Sequence, residues 1–308
     1  MSRVVDLHGC ILPAVLGPQG PQTMAESVKM IKSLSEQGIT DIFSTLDVTV
    51  SMDLNTWNAI NSLVNEVKVM VKEQQVDITI HSGARVMLCD EMVAYIASHR
   101  NQYTLGDSHF ILVALPQNSK VHHINAWLLS LLDMGLVPII SEVETYGQLF
   151  TKPEQLLAWV DRGILIQCNM ASFDHGNANY DRAIELYRNG LIHFFGTGYS
   201  DGCDVEAYQG YVEAISELDN TYKKDLLPNI HLNERDLLAN RTFYPSVPSS
   251  WVGKKGNFLT RLFGFALYPC HNRFFYPCHI GIDRGTYFYF ILYLGLKTTT
   301  IYSILRGR

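Results

Sequence analysis

Seven short runs of apolar, largely β-branched residues punctuate the chain: Arg3–Leu7, Ile39–Ser44, Val76–His81, His109–Leu115, Val137–Ile140, Ile164–Cys168 and Ile192–Gly196. Each has the length of a strand and contains few charges. Between them apolar positions recur at helical spacing. The clearest case is Thr23–Gln37, where Val28, Ile31 and Leu34 form one stripe, Thr23-Met24-Ala25-Glu26 reads as a capping box and Gly38 as a stop. The same spacing predicts helices at Thr56–Lys72, Glu91–His99, Asn125–Met134, Pro153–Arg162, Tyr180–Asn189 and Val205–Leu218. Alternating apolar strands and helices call for parallel strands joined by crossover helices, which leaves a doubly wound sheet or a closed β/α barrel. In both, ligands bind beyond the carboxyl ends of the strands. His8 and Cys10 follow the first predicted strand, Asp47 the second, Arg85 the third, Glu142 and Glu144 the fifth, and Thr197 to Ser200 the seventh. The fourth ends in the apolar Val113-Ala114-Leu115.

With 308 residues, 47% of them hydrophobic, the chain has ample material for a buried core and is not a disordered protein. A charged fraction of 18% and a net charge of -6 exclude a basic nucleic-acid binder as a description of the whole molecule. The charge is unevenly spread: from Pro245 onward it is +7, and before that -13. We therefore divide the chain into a domain over 1–244 and a basic, aromatic tail over 245–308. The six cysteines show no repeated framework spacing and the N-terminus has no secretory pattern, so the first domain reads as reduced and cytoplasmic. Glycine-rich phosphate loops of the nucleotide-binding types are absent, and the single Cys–Arg pair at phosphatase-loop spacing, Cys278 and Arg284, falls in the tail.

One opening stretch is more specific. Asp6-Leu7-His8-Gly9-Cys10-Ile11-Leu12-Pro13, followed by Gly20-Pro21-Gln22-Thr23, resembles the start of the bacterial PHP-type protein-tyrosine phosphatases of capsule and exopolysaccharide operons. The likeness continues through Gly38–Ile42, Ser82-Gly83-Ala84, Gly135–Ile140, Glu144 with Tyr146, Leu191–Phe194 and Asn233–Asn240. It implies a distorted (β/α)7 TIM-like barrel whose manganese cluster activates water against phosphotyrosine, with a tyrosine autokinase of polysaccharide synthesis as substrate.

The resemblance also shows what has changed. Of the implied metal ligands His8 is retained, whereas its partner two residues on is Cys10 and the two acids that follow become Pro18-Gln19. A histidine is replaced by Asp47, a bridging glutamate by Arg85, another glutamate by Ala114, and the histidine of the H-x-E-R-Y motif by Glu142. Glu144 keeps the acid of that motif and is the remaining catalytic candidate, while Thr145 stands where the phosphate-binding arginine would be. Gly198 and Ser200 occupy two further ligand positions. A guanidinium stays charged and repels a divalent ion, so Arg85 could pair with Asp47 and Glu142 and supply the charge that metals would supply. Two alternatives remain open on the residues alone. Arg85 could point to solvent, or His8, Cys10, Asp47 and Glu142 could hold one softer ion such as zinc, in a phosphatase with a rearranged site.

In the tail, Pro245–Ser250 reads as a linker, and Tyr287–Leu296 with flanking Arg284 and Lys297 could lie on an anionic membrane surface, which would make the protein a peripheral adaptor of polysaccharide synthesis. Ten apolar residues fall short of the roughly 20 that span a bilayer. The repeat Tyr268-Pro269-Cys270-His271 and Tyr276-Pro277-Cys278-His279 offers zinc-competent side chains at a spacing that matches no common finger.

Overall fold

The computed structural model describes residues 3–15, 20–50, 52–198, 211–222, 224–245, 247–248 and 251, the side chains of 211–214 excepted. Pro18, Gln19, Ser200 and nearly all of the 245–308 tail lie outside the described residues.

Apolar strands that are buried on both faces need cover on both, and the chain supplies it by alternating strand and helix. Strands β1 (Val5–Gly9), β2 (Asp41–Val48), β3 (Thr79–Met87), β4 (Phe110–Ala114), β5 (Val137–Ile140), β6 (Leu165–Asn169) and β7 (Phe194–Gly196) run parallel in the order β1-β2-β3-β4-β5-β6-β7. Helices α1 (Met24–Glu36), α2 (Leu54–Glu73), α3 (Asp90–Ser98), α4 (Val121–Asp133), α5 (Glu154–Asp161) and α6 (Tyr180–Asn189) form the crossovers, followed by α7 (Tyr211–Tyr222) and α8 (Leu226–Leu238). The sheet curls until β7 meets β1: Gly198 N donates to the His8 carbonyl at 3.2 Å. At that seam Gly196 lies so close to β1 that a Cβ there would sit 2.9 Å from the His8 Cβ. The result is the distorted seven-stranded β/α barrel expected from the sequence, not a doubly wound sheet.

Alternation along the strands divides the core in two. Val5, Leu7, Phe43, Phe110, Leu112, Ile139, Leu165 and Phe194 fill the barrel, whereas Ile42, Ile80, Val86, Ile111, Val113, Ile140 and Ile166 face the helices. Several boundaries differ from the sequence reading: β1 runs to Gly9, so that His8 lies within it, α4 begins at Val121, and the described part of α7 spans Tyr211–Tyr222. β2 and β3 run on past Ser44 and His81 to Val48 and Met87, so Asp47 and Arg85 lie within strands and not in the loops after them. Period-two alternation carries both inward, after Phe43 and Thr45 on one strand and His81 and Gly83 on the next. The predicted capping box is also shifted: Thr23 accepts from Glu26 N, but the Glu26 carboxylate accepts from Gln22 N.

The end of the barrel opposite the strand carboxyl ends is closed by α8. Glu234 accepts from Val5 N at 3.1 Å, Leu237 enters the barrel cluster, and Phe243 packs between Phe110 and Phe194. Asp41, fully buried in the same region, pairs with His81 Nε2 at 2.8 Å and with the Arg3 guanidinium at 3.1 Å. No helix among the described residues is long and apolar enough to cross a membrane.

His193, just before β7, gives this fold an acid limit. Its Nδ1 accepts from Ile166 N at 2.8 Å, and burial lowers its pKa to about 3. A depressed folded pKa means that its contribution is present above the unfolded value of about 6.5 and is lost as pH falls toward 3. His193→Asn keeps an acceptor for Ile166 without a titrating ring. Urea unfolding at a series of pH values should show this variant losing less stability than the parent between about pH 6.5 and pH 4, by up to ~3 kcal/mol.

Candidate functional site

The inward residues at the carboxyl ends of β1, β2, β3, β5 and β6 converge on one cluster. Its centre is Arg85. Asp47 and Arg85 are register partners on adjacent strands, which places their side chains side by side on the inner face. Arg85 Nε donates to Asp47 Oδ1 at 2.5 Å and Nη2 to Asp47 Oδ2 at 2.7 Å, a bidentate fork, while Nη1 donates to Glu142 Oε2. The Arg85 and Glu142 side chains are 16% and 14% exposed and that of Asp47 is 48%, so two members are largely out of water and one rims the opening.

Glu142 reaches the guanidinium because its backbone is held in the left-handed region at φ 49°, a conformation that costs a branched-chain-sized side chain about 1 kcal/mol or more. Two amides on β6 hold it there: Gln167 Oε1 accepts from Glu142 N at 2.9 Å, and Asn169 Nδ2 donates to Glu142 Oε1 at 3.2 Å. Thr145 closes the same turn by donating to the Glu142 carbonyl at 2.8 Å.

The charges are settled by these neighbours. Burial opposes the Arg85 cation, but the Asp47 hydrogen bonds and the charges of Glu142 and Asp47 outweigh it, so the guanidinium is held charged more firmly than usual. His8 is 2% exposed, with Nδ1 2.7 Å from Thr45 Oγ1. Burial first and Arg85 second lower its pKa to about 4, which leaves a neutral imidazole at neutral pH. Burial pushes the nearby Tyr146 phenol up to about 12. One guanidinium facing two carboxylates gives the cluster a net charge of −1.

Four residues singled out in the sequence therefore meet here: His8, Asp47, Arg85 and Glu142. Arg85 does not point to solvent. Others lie elsewhere. Cys10 is buried beside a small cleft lined by Ile11, Leu12, Val15, Ser44 and Thr45. Glu144 is wholly buried and turned to β6, accepting from Asn169 N at 2.8 Å and Ser172 Oγ at 2.9 Å. Its Oε2 has no hydrogen-bond partner, and burial raises its pKa to about 7. Its bonded oxygen thus ties the turn after β5 to β6 and the residues after it. Ala114 is a buried strand-end residue whose carbonyl accepts from Leu88 N.

Gly198, at φ +58°, abuts the cluster. A Cβ there would stand 2.6 Å from Glu142 Oε1 and closer still to Asn169 Nδ2, so a side chain at this left-handed position would displace the Glu142–Asn169 pair. The donor set does not suit a divalent ion: both Asp47 oxygens and Glu142 Oε2 accept from Arg85, and Glu142 Oε1 accepts from Asn169. Among the described residues no group of three or more His, Cys, Asp and Glu side chains is placed to hold a metal. The residues here do not fit the metal cluster that the resemblance implies.

Sequence reasoning missed Gln167, Asn169 and Thr45. The signal for the first two was present: polar residues at inward spacing near the end of an otherwise apolar strand. Asp6 was also unassigned. It is buried, accepts from His8 N, Thr197 N and Thr197 Oγ1, and ties β1 to the residue after β7.

Comparison with known proteins agrees with the barrel fold. The tyrosine-protein phosphatase YwqE of Bacillus subtilis is 23% identical over 265 residues, covering 85% of this chain and all of the relative. The tyrosine-protein phosphatase CpsB of Streptococcus pneumoniae is 24% identical over 166 residues, 54% of this chain and 67% of that one. A crystal structure from the pair YwqE and CpsB, described as unique metal-dependent tyrosine phosphatases, aligns with a TM-score of 0.68 at 22% identity, covering 80% of this chain and 100% of the other. The profile of the family described as Capsular polysaccharide synthesis, CpsB/CapC, matches residues 4–233, and the chain belongs to that family.

Proposed function

We propose that this chain is a non-hydrolysing member of its family, a cytoplasmic barrel that binds the tyrosine autokinase of polysaccharide synthesis without acting as its phosphatase. The observation that carries this reading is the Arg85 guanidinium engaged by Asp47 and Glu142 at the barrel mouth. Phosphomonoester hydrolysis depends on neutralising the phosphate oxygens and activating a water, which the family's metals would do. Here Arg85 already has two anionic partners and the cluster of the three is net negative. His8 is neutral, the Thr145 hydroxyl is engaged, and Gly198 walls off one side. A phosphotyrosine dianion would meet repulsion where it needs attraction. Manganese is not part of this reading, because the donors that would hold it already hold a guanidinium or an amide.

The intact scaffold supports retained binding. The strands, the α8 closure and the matched stretch over residues 4–233 are present, and the replaced ligand positions Asp47, Arg85 and Glu142 meet at the mouth. The composition of residues 245–308 adds a membrane-peripheral placement of the same unit, with its net charge of +7 directed to anionic lipid.

Purified protein assayed with p-nitrophenyl phosphate and added manganese, magnesium or zinc should show no turnover above background, with Bacillus subtilis YwqE as the positive control. Elemental analysis of the same preparation should find metal far below one equivalent. Turnover with stoichiometric manganese would instead support a working phosphatase with rearranged ligands. Calorimetric titration with the cytoplasmic domain of the autokinase should show binding that EDTA leaves unchanged. Flotation of the full chain should occur with anionic and not with neutral vesicles.

A further inference from the structure

We propose that Asp47, Arg85 and Glu142 form a self-saturating ion cluster: each is the other's ligand, so the mouth accepts neither a divalent cation nor a phosphate anion. The proposal rests on the non-hydrolysing reading and extends it to the ions themselves. A site with spare carboxylate oxygens would take a cation, and one with a spare guanidinium fork would take phosphate. Neither is spare here. Both oxygens of Asp47 accept from Nε and Nη2 of Arg85, Glu142 Oε2 accepts from Nη1, and Glu142 Oε1 accepts from Asn169 Nδ2.

Geometry makes the arrangement mutual. Asp47 is fixed opposite Arg85 by the β2–β3 register, and Glu142 is fixed by its left-handed backbone with Gln167 and Asn169 behind it. The guanidinium is thus a counter-ion tethered to its own carboxylates. It is at a local concentration that no free ion in solution matches, because its binding carries no translational entropy cost. Conversely, the carboxylates screen the guanidinium from an incoming anion. Of the other ionisable groups near the turn, the Glu144 carboxyl is turned to Asn169 and Ser172, and Arg182 donates to the Glu144 carbonyl at 2.6 Å.

Breaking the cluster from either side should uncover the opposite preference. Arg85→Gln leaves the carboxylates of Asp47 and Glu142 with no guanidinium between them, an oxygen donor pair open to a divalent ion. The pair Asp47→Asn and Glu142→Gln leaves the guanidinium unopposed, an anion receptor.

Thermal unfolding of the full-length protein and these variants, with manganese chloride or with inorganic phosphate at about 1 mM, tests the proposal. Ionic strength is held constant throughout. The parent's Tm should not move with either ion. Arg85→Gln should rise by about 5 °C with manganese and not with phosphate, and the double variant should rise by a similar amount with phosphate and not with manganese. Arg85→Met, which keeps an apolar stem without the charge, takes the place of Arg85→Gln if the latter does not fold. Combining all three substitutions should abolish both responses. A parent that responds to either ion, a variant that lacks its predicted response, or a response that survives in the triple variant would overturn the proposal. Turnover of p-nitrophenyl phosphate by a parent whose Tm ignores both ions would remove the non-hydrolysing reading instead, so the two failures are separable.

Discussion

A charge withdrawn from water has to be balanced within a few ångströms, and at the mouth of this barrel the balancing is done by covalently attached groups. Arg85 meets Asp47 across neighbouring strands and Glu142 across the barrel, and the pairing replaces hydration that Arg85 and Glu142 have largely lost. Other features of the site follow from that demand. Glu142 adopts a left-handed backbone, two amides of β6 brace it, and Gly198 has to lack a side chain because the carboxylate and its amide partner already fill the space.

The same principle operates at the opposite end. Asp41 is wholly buried and is held by Arg3 and His81, while Glu234 caps the unpaired N–H at the start of β1 and pairs with His231 at 2.9 Å. Between these two polar ends the barrel is filled by aliphatic and aromatic side chains. The apolar middle provides the burial that drives folding, and the ends tie the closure: Asp6 and Thr197 join β1 to the chain after β7, and α8 joins it to the C-terminal region. Substitutions at the mouth can therefore change the chemistry without disturbing the scaffold.

Much of this was legible in the residues. Strand and helix alternation predicted parallel strands and crossovers, because burial on both faces leaves an unbroken apolar run. The resemblance around Asp6–Pro13 then selected a barrel over an open sheet, a choice that local pattern does not make. Arg85, Asp47, Glu142 and His8 could be named as candidates from their positions near strand ends. Cys10 and Glu144 could be named on the same grounds, yet the structure places one in the lining of a small apolar cleft and buries the other against β6.

Sequence by itself determined which charges were available and which were lost: an arginine at 85, a glycine at 198, an alanine at 114 and a threonine at 145 in a chain that otherwise keeps its family's order of elements. Only the tertiary structure decided how those charges are used. Whether a guanidinium reaches solvent or a carboxylate depends on strand length, register and one left-handed residue. Those are set by hydrogen bonds between segments distant in the chain, such as Asp47 with Arg85 and Glu142 with Gln167, whose pairing exists only once the barrel has closed.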